Sequence, residues 1–440
     1  MQNTNQGSLY KKGRLLAEGK TKKIWEVEGD DSLIIIENKP DITAFDNSAF
    51  TKRFDTKAVY ATATTCRVFE LLREAGLPIA YTEQISETEF AAPKCEMIPL
   101  EVVARRYAVG SYLKRNPDLQ ETPPYRFHKL VTEFFLKTTN GELKDKKGDI
   151  IVSDLDSKAG EEDPLIFNPR NTLWTLCHKE RSIRDKNSIL RENVPAKSVL
   201  EGTSIDEIER MLIEVFLIIE GMWMILGHRF IDLKIEFGIT GEGKLVVADV
   251  IDNDSWRLRD KEWEELSKES FRQQESLEKV ERKYEIVSDL TAGFRIPEQC
   301  IVLWRGSEKD CFPEISDDIA GLTIEYVTAS GHKSPQTCLQ ILEKLLAKYP
   351  DGGVIIAKVG LSNGLGPTLA ARTSWTVISI PATVSNFPDD IWSSLRMPSN
   401  VPMPVILSEG NAVLSAYRIL AQKNPILYKE LHRDIEQLDL

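Results

Sequence analysis

No Cys-x-x-Cys pair occurs among the six cysteines, Cys66, Cys95, Cys177, Cys300, Cys311 and Cys338. Their scatter among apolar neighbours reads as reduced core thiols and speaks against a zinc site. No continuous apolar segment opens the chain, where Met1 to Arg14 is polar and basic, so no export signal is read and a cytoplasmic protein is expected. Apolar runs of membrane-spanning length, roughly 20 residues, are also missing. The most apolar stretch, Met211 to Leu226, carries Glu214 and Glu220 and reads as a buried helix. Excess positive charge is lacking too: Lys and Arg total 56 against 68 Asp and Glu, a formal charge of -12, so the mean field repels nucleic acid and anionic membranes. What the 440 residues do have is 42% hydrophobic content, enough for large cores and two or three domains.

Short β-branched segments at 17–27 and 33–37, interrupted by Gly-Asp, predict an antiparallel pair opening a sheet. Residues 62–75 read as a helix, 98–103 as a strand and 205–226 as a long helix. Residues 230–237 and 244–250 read as two strands joined by Thr240-Gly241-Glu242-Gly243. This mixture without regular alternation predicts an α+β domain. Residues 137–199 are polar and irregular and read as surface insertions. Dense mixed charge without proline or glycine at 260–289 reads as a long solvated helix connecting two domains. Beyond it, apolar runs at 300–304, 322–327, 354–357 and 375–380, with helix-like segments at 335–349, 369–372 and 409–422, predict a doubly wound parallel α/β domain. Its ligand belongs at the carboxyl ends of the strands. The expected division is 1–259, a connector at 260–296, and 297–440.

Three segments of the first domain carry candidate chemistry. Glu18-Gly19-Lys20-Thr21-Lys22 joins two strand-like segments, so its glycine can bring amides near phosphate while the lysines supply charge. A solvated basic hairpin would look the same. Alternation in Phe230-Ile231-Asp232-Leu233-Lys234-Ile235-Glu236-Phe237-Gly238 puts Asp232, Lys234 and Glu236 on one strand face, either solvent surface or a site. Asp249, just before Ile251-Asp252-Asn253-Asp254-Ser255-Trp256-Arg257, can converge with Glu236 across the hairpin, and magnesium takes one or two such carboxylates plus nucleotide phosphates. Ile98-Pro99-Leu100-Glu101-Val102-Val103-Ala104-Arg105-Arg106, then Gly110-Ser111 and Lys114-Arg115, reads as a strand running into a basic loop that traps an anion or lies as a cationic surface turn.

Together and in this order, these blocks resemble phosphoribosylaminoimidazole-succinocarboxamide (SAICAR) synthetase, an ATP-grasp-related ligase of purine biosynthesis. The resemblance spans nearly all of Met1 to Arg259 and implies ATP- and Mg²⁺-dependent joining of aspartate to carboxyaminoimidazole ribotide. It implies that Gly19, Lys20, Thr21, Lys22 and Lys137 bind ATP and that Glu236 and Asp249 hold Mg²⁺. It further implies that Asp46, Arg105, Ser111, Asp254, Ser255 and Arg257 bind substrate, with Asp232 and Lys234 at the reacting centre. Val109, Thr56 and Thr138-Thr139 depart from the family pattern.

In the second domain, Gly306-Ser307 with Asp310, Ser330 with His332-Lys333, and Ser362-Asn363-Gly364-Leu365-Gly366-Pro367 each follow a predicted strand. Ser334 reads as a helix N-cap and Pro335 as the first helical residue, which leaves His332 in a loop, free to exchange a proton or only to pack or cap. The three loops resemble the animal-type phosphoribosylaminoimidazole (AIR) carboxylase, and the order of the two halves is that of the animal bifunctional family. The resemblance implies that His332 is the acid/base, that Gly306, Ser307, Asp310, Ser330, Lys333, Ser362, Asn363, Gly364 and Leu365 bind the ribotide, and that no organic cofactor takes part. It implies small-molecule substrates and a homo-oligomer, commonly an octamer, assembled through this domain. Arg305, Glu308, Lys309, Gly331 and Leu361 depart from the pattern. A carboxylate such as Glu308 beside a phosphate repels it by about 4 kcal/mol at 4 Å and an effective dielectric of 20. An active ligase with a diverged carboxylase domain kept as a scaffold is therefore the alternative reading.

Overall fold

The alternation around Asp232 builds the strand Arg229–Thr240, and the computed structural model makes it the most connected strand of the first unit, paired with four neighbours. The structure describes residues 10–43, 51–53, 56–200, 202–272, 275–312, 315 and 318–437. Described residues through Phe294, with those from Ile435 on, form one unit; Arg295–Asp434 forms a second.

The large antiparallel sheet of the first unit runs in the order Ile189–Pro195, Leu173–Cys177, Leu165–Ile166, Arg126–Leu136, Leu100–Tyr107, Arg229–Thr240, Leu245–Ala248. Trp256–Arg259 and Cys95–Met97 also pair with Arg229–Thr240. Helix Ile205–Ile225 packs on this strand, its start capped by Ser204, which accepts from the Glu207 N–H at 3.2 Å. The apolar run read as a buried helix is that helix, with Phe216 against Phe230 and Trp223 against Trp256. A five-stranded sheet, Lys12–Glu18, Lys22–Val27, Asp30–Asn38, Glu89–Pro93 and Glu83–Ser86, holds the Gly19-Lys20-Thr21 turn between its first two strands. Helix Thr56–Glu74 begins earlier than the expected 62–75.

Three expectations for this unit are corrected. Residues 137–199 are not only surface insertions, because three strands of the large sheet lie there and bury Trp174, Leu176 and Cys177. The charged stretch 260–289 is not one long solvated helix: it forms a short turn of helix, Glu269–Arg272, and then Leu277–Thr291. The second helix buries Val280, Tyr284 and Val287, a stripe at helical spacing inside a charged surround, and packs on Thr56–Glu74. Finally, Gly110-Ser111 opens a short helix, Gly110–Arg115, rather than a loop.

The second unit is a parallel sheet in the order Leu322–Thr328, Gln299–Arg305, Gly353–Val359, Thr376–Pro381. Alternate residues serve opposite faces. Cys300, Val302, Trp304, Ile355 and Ala357 share one core with Cys338, Leu342 and Leu345 of helix Pro335–Lys348. Ile301, Leu303, Val354 and Ile356 share the other with Ala412, Ala416 and Leu420 of helix Glu409–Leu420. This is the doubly wound α/β arrangement expected. Among the described residues no helix is long and apolar enough to cross a membrane. The cysteines are free, and Cys311, unlike its core-buried counterparts Cys66, Cys177, Cys300 and Cys338, is exposed.

Candidate functional site

Register, not sequence proximity, assembles the first site. Asp232 lies directly opposite Arg105, and Lys234 opposite Val103, so the odd-numbered face of Leu100–Tyr107 and the even-numbered face of Arg229–Thr240 look into one cleft of about 630 Å³. Arg105, 4% exposed, donates to Glu133 (Nε–Oε2, 2.7 Å), to Asp232 and to Ser111 Oγ (3.3 Å). Asp232 also accepts from Arg257 Nη1 at 2.5 Å, and Arg257 reaches Glu269 at 3.3 Å. Gly110 permits this: at φ +59°, a Cβ there would stand 2.7 Å from Arg257 Nη2. Burial opposes the charge on Arg257, but Asp232, Glu269 and Glu265 raise its pKa above the ordinary value.

Farther along the same strand face, Lys234 pairs with Glu101 at 2.9 Å and Glu236 with Lys137 at 2.7 Å. Glu236 is opposite Ala248, so the next residue, Asp249, comes beside it; Asp249 has a left-handed backbone, φ 69°, and pairs with Lys22. Burial alone would raise the Glu236 carboxyl, but Lys137, Lys22 and Lys234 hold it below the usual carboxylate range. Burial brings the Lys22 amine down to about 8, with Glu236 pulling the other way and Lys137 and Lys234 adding to the fall.

Asp254 and Ser255 line the cleft. Lys57 and Lys268, each 3.2 Å away, and the Tyr284 hydroxyl fix the Asp254 carboxylate, while Ser255 Oγ donates to Val250 O at 3.0 Å. Buried Asp252, beside Asp254, is pushed up to about 6. Lys20, Thr21 and Lys22 line the cleft; Gly19 and Lys137 are not among its lining residues, although Lys137 pairs with Glu236, which is. Asp46 lies outside the described residues. Glu101, Glu133, Lys268, Glu269 and Tyr284 were not singled out from sequence. Glu101 and Glu133 carried a signal in strand alternation opposite the Asp232 face; the other three sit in the stretch read as solvated.

Of the predicted basic block, only part faces the cleft. Arg106, one residue on from Arg105, points to the other sheet face and forms a two-pronged pair with Glu220, 2.8 and 3.0 Å. Arg115 is buried against Glu133.

The second site is a cleft of about 530 Å³ at the carboxyl ends of three parallel strands. Gly306, Ser307, Asp310, Ser330, His332, Lys333, Ser362, Gly364 and Leu365 line it. Asn363 does not: it is buried, donating to Ser379 Oγ (2.8 Å) and Ser394 Oγ (3.0 Å) and accepting from the Gly366 N–H (2.9 Å), so it braces the loop. Ser334 precedes Pro335 at the helix start, but its hydroxyl donates to Ser330 O at 3.3 Å instead of capping. Burial raises the Asp310 carboxyl, against the pull of Lys358 and Arg305. Lys358, which also lines this cleft and pairs with Glu409, was not singled out from sequence.

Two departures in this half offset each other: the Glu308 carboxylate pairs with Arg305 and does not line the cleft. A third is steric. At Gly331 a Cβ would stand 2.5 Å from Leu365 Cα and 2.6 Å from its nitrogen, and at Gly364 2.5 Å from His332 Nε2. Gly331→Ala is therefore expected to part these loops. Carboxylation should fall by about 10²-fold, the cost of misplacing a reacting group by about 1 Å, with ligation unchanged.

A cleft lined by lysines and arginines interleaved with carboxylates, three of them, Asp232, Glu236 and Asp249, on strand Arg229–Thr240 or next to its partner, and an α/β sheet with three loops at its ligand edge, fit an enzyme with two sites for charged small molecules. The SAICAR synthetase family model matches residues 15–162 and 165–289, and the AIR carboxylase model matches 304–439. A multifunctional protein of Caenorhabditis elegans is 36% identical over 434 residues, covering 94% of this chain and 91% of its own. The bifunctional phosphoribosylaminoimidazole carboxylase/phosphoribosylaminoimidazole succinocarboxamide synthetase of Homo sapiens is 32% identical over 445 residues, covering 96% and 93%. A solved structure titled SAICAR synthetase (Type-2) in complex with ADP covers 63% of this chain and 98% of its own at 25% identity and a TM-score of 0.48. The chain belongs to the bifunctional AIR carboxylase/SAICAR synthetase family of purine biosynthesis, with the synthetase domain first.

Proposed function

We propose that the first unit joins the amine of L-aspartate to the carboxylate of carboxyaminoimidazole ribotide, cleaving ATP to ADP and phosphate, and that the second makes this ribotide from aminoimidazole ribotide and CO₂ without ATP. The observation that carries the ligase reading is the ranking of Asp232, Lys234 and Glu236 on one strand face, with arginines at one end and the Lys22–Asp249 and Lys137–Glu236 pairs at the other. Residues four apart on a strand are about 13 Å apart, room for an acceptor at one end and a nucleotide at the other.

At the arginine end, Arg105, Arg257, Ser111, Asp254 and Ser255 bind ribotide and aspartate, Asp232 orienting both guanidiniums. At the other end, Gly19, Lys20, Thr21, Lys22 and Lys137 face ATP. ATP phosphorylates the ribotide carboxylate to a mixed anhydride, the aspartate amine attacks its carbon, the C–O bond to phosphate breaks, and Lys234 between the two ends steadies the charge. Glu236 and Asp249 offer two hard oxygen donors. Among the described residues no three His, Cys, Asp or Glu side chains form a metal cage, so the pair suits an ion that brings phosphate oxygens with it. Mg²⁺ held there would neutralise charge on the transferring phosphoryl group.

In the second unit, Ser307, Asp310, Ser330 and Lys333 hold the ribotide. A bond forms between CO₂ and the imidazole carbon, and His332 takes the proton that this carbon loses. The mutual neutralisation of Arg305 and Glu308 supports an active site over a scaffold. Exposed Phe387, Trp392 and Leu395 support a homo-oligomer built through this unit, and we place the enzyme in the cytoplasm.

The ligase reading is tested by ADP release from supplied carboxyaminoimidazole ribotide; it should require aspartate and Mg²⁺. The Lys22 ammonium is charged below about pH 8 and neutral above it, so kcat/KM for ATP, which reports the free enzyme, is expected to fall as pH rises through that value. Lys22→Arg should move the fall beyond pH 9. A pH profile that is the same in both proteins would take Lys22 out of the ATP site.

A further inference from the structure

Alternation along strand Gly353–Val359 puts Lys358 on the face of Val354 and Ile356, which belong to the core shared with helix Glu409–Leu420. Lys358 ends that row at the second cleft. Its amine donates to the Glu409 carboxylate, in the first turn of that helix, and to the Cys311 carbonyl, and stands 5.6 Å from the centre of the Phe312 ring. Its own backbone carbonyl accepts from the Gly306 N–H at 3.1 Å. One residue thus holds both ends of the first loop, 306–311. Inside that loop the Asp310 N–H closes a turn on Ser307 O at 3.0 Å, so the two side chains assigned to the ribotide move with the ends that Lys358 fixes.

Among the described residues that line this cleft, Asp310 is the one carboxylate. It sits over the strand ends, where a Cβ at Gly306 or Gly360 would come within 4.0 and 3.9 Å of its oxygens. A carboxyl group takes only acceptor roles while it is ionised, and burial works against that state. Lys358 opposes the burial most strongly, ahead of Arg305 and the backbone of Ser307. Lys309, His332 and Lys333 are the other titratable groups that line the cleft, and Glu409 faces Lys358 from its helix.

We infer that Lys358 is a positioning residue of the carboxylase site: it pins the loop that carries Ser307 and Asp310 and keeps a cation beside the carboxylate that accepts from the ribotide's hydroxyls. The inference rests on the carboxylase reading of the second unit. Lys358→Met is expected to raise KM for aminoimidazole ribotide by about 10- to 100-fold, the worth of one hydrogen bond to a charged group. Because that binding is common to ground and transition states, kcat should stay within about twofold of wild type. Lys358→Arg, which keeps the charge and the donors, should recover most of the loss. Glu409→Gln, which removes the ion pair but leaves the contact with Cys311, should hold KM within about twofold. A lysine that only supports the fold would leave the pH dependence of binding where it is. In the His332→Asn background, where the imidazole no longer titrates, affinity for aminoimidazole ribotide should weaken as falling pH protonates Asp310, and adding Lys358→Met should move that fall to higher pH. The ribotide's own titrations are common to both proteins. An unmoved fall, an arginine variant as weak as the methionine one, or a Glu409→Gln loss equal to that of Lys358→Met would each overturn the assignment. Wild-type enzyme that binds aminoimidazole ribotide without carboxylating it would instead overturn the carboxylase reading, and the binding measurements would still decide the role of Lys358.

Discussion

Replacing His332 with asparagine is expected to lower carboxylation of aminoimidazole ribotide by about 10²- to 10⁴-fold, the range that one positioned acid/base commands, and to leave ligation of supplied carboxyaminoimidazole ribotide unchanged. His332 is exposed at the cleft, between Ser330 and Lys333, and its ring lies against Gly364. Asparagine keeps a polar group there but cannot take a proton near neutral pH. Because the imidazole is not part of the core, the loss should come without a change in melting temperature. Assaying the two steps separately on one preparation checks it. Ligation falling in step with carboxylation would mean that the variant had damaged the chain as a whole.

The second large effect separates two adjacent arginines. Arg105→Leu is expected to abolish ligation, because it removes the side chain that joins Glu133, Asp232 and Ser111 at the substrate end. Arg106→Leu leaves Glu220 buried without its guanidinium partner. Breaking a buried pair in this way costs about 3–5 kcal/mol, so this variant should unfold at lower denaturant concentration while the folded fraction keeps its KM for ribotide and aspartate. Arg105→Leu takes one of two arginine partners from each of Glu133 and Asp232, which keep Arg115 and Arg257, and should be destabilised as well. The discriminating readout is therefore activity per folded molecule: near zero for Arg105→Leu and near normal for Arg106→Leu.

Both halves of the fold were legible where a periodic signal was strong. The alternation through Asp232, Lys234 and Glu236 predicted a strand with a charged face, and the structure turns that face into a cleft. The four apolar runs after residue 297 became four parallel strands. Less legible was anything that depends on pairing across the sheet. Arg105 and Arg106 read as one basic block, yet a strand sends neighbours to opposite faces, and only Arg105 reaches the site. Glu133 could be recognised as the hub between Arg105 and Arg115 only once the register with Leu100–Tyr107 was known. The helix Leu277–Thr291 looked solvated because charge outnumbers its apolar stripe, although Tyr284 reaches Asp254 in the first site. Glu308, read as a repulsive neighbour of phosphate, is satisfied by Arg305, three residues earlier. Each substitution looks damaging alone, and only the pair is neutral.

One chain is expected to perform two consecutive steps at two sites. Intact enzyme supplied with aminoimidazole ribotide, labelled bicarbonate, aspartate, ATP and Mg²⁺ puts both steps into a single assay. Label is expected in SAICAR with one ADP released per molecule, and, when ATP is withheld, only in carboxyaminoimidazole ribotide. Label absent from both products at high bicarbonate, while supplied carboxyaminoimidazole ribotide is still ligated, would contradict that expectation and leave the second unit a scaffold.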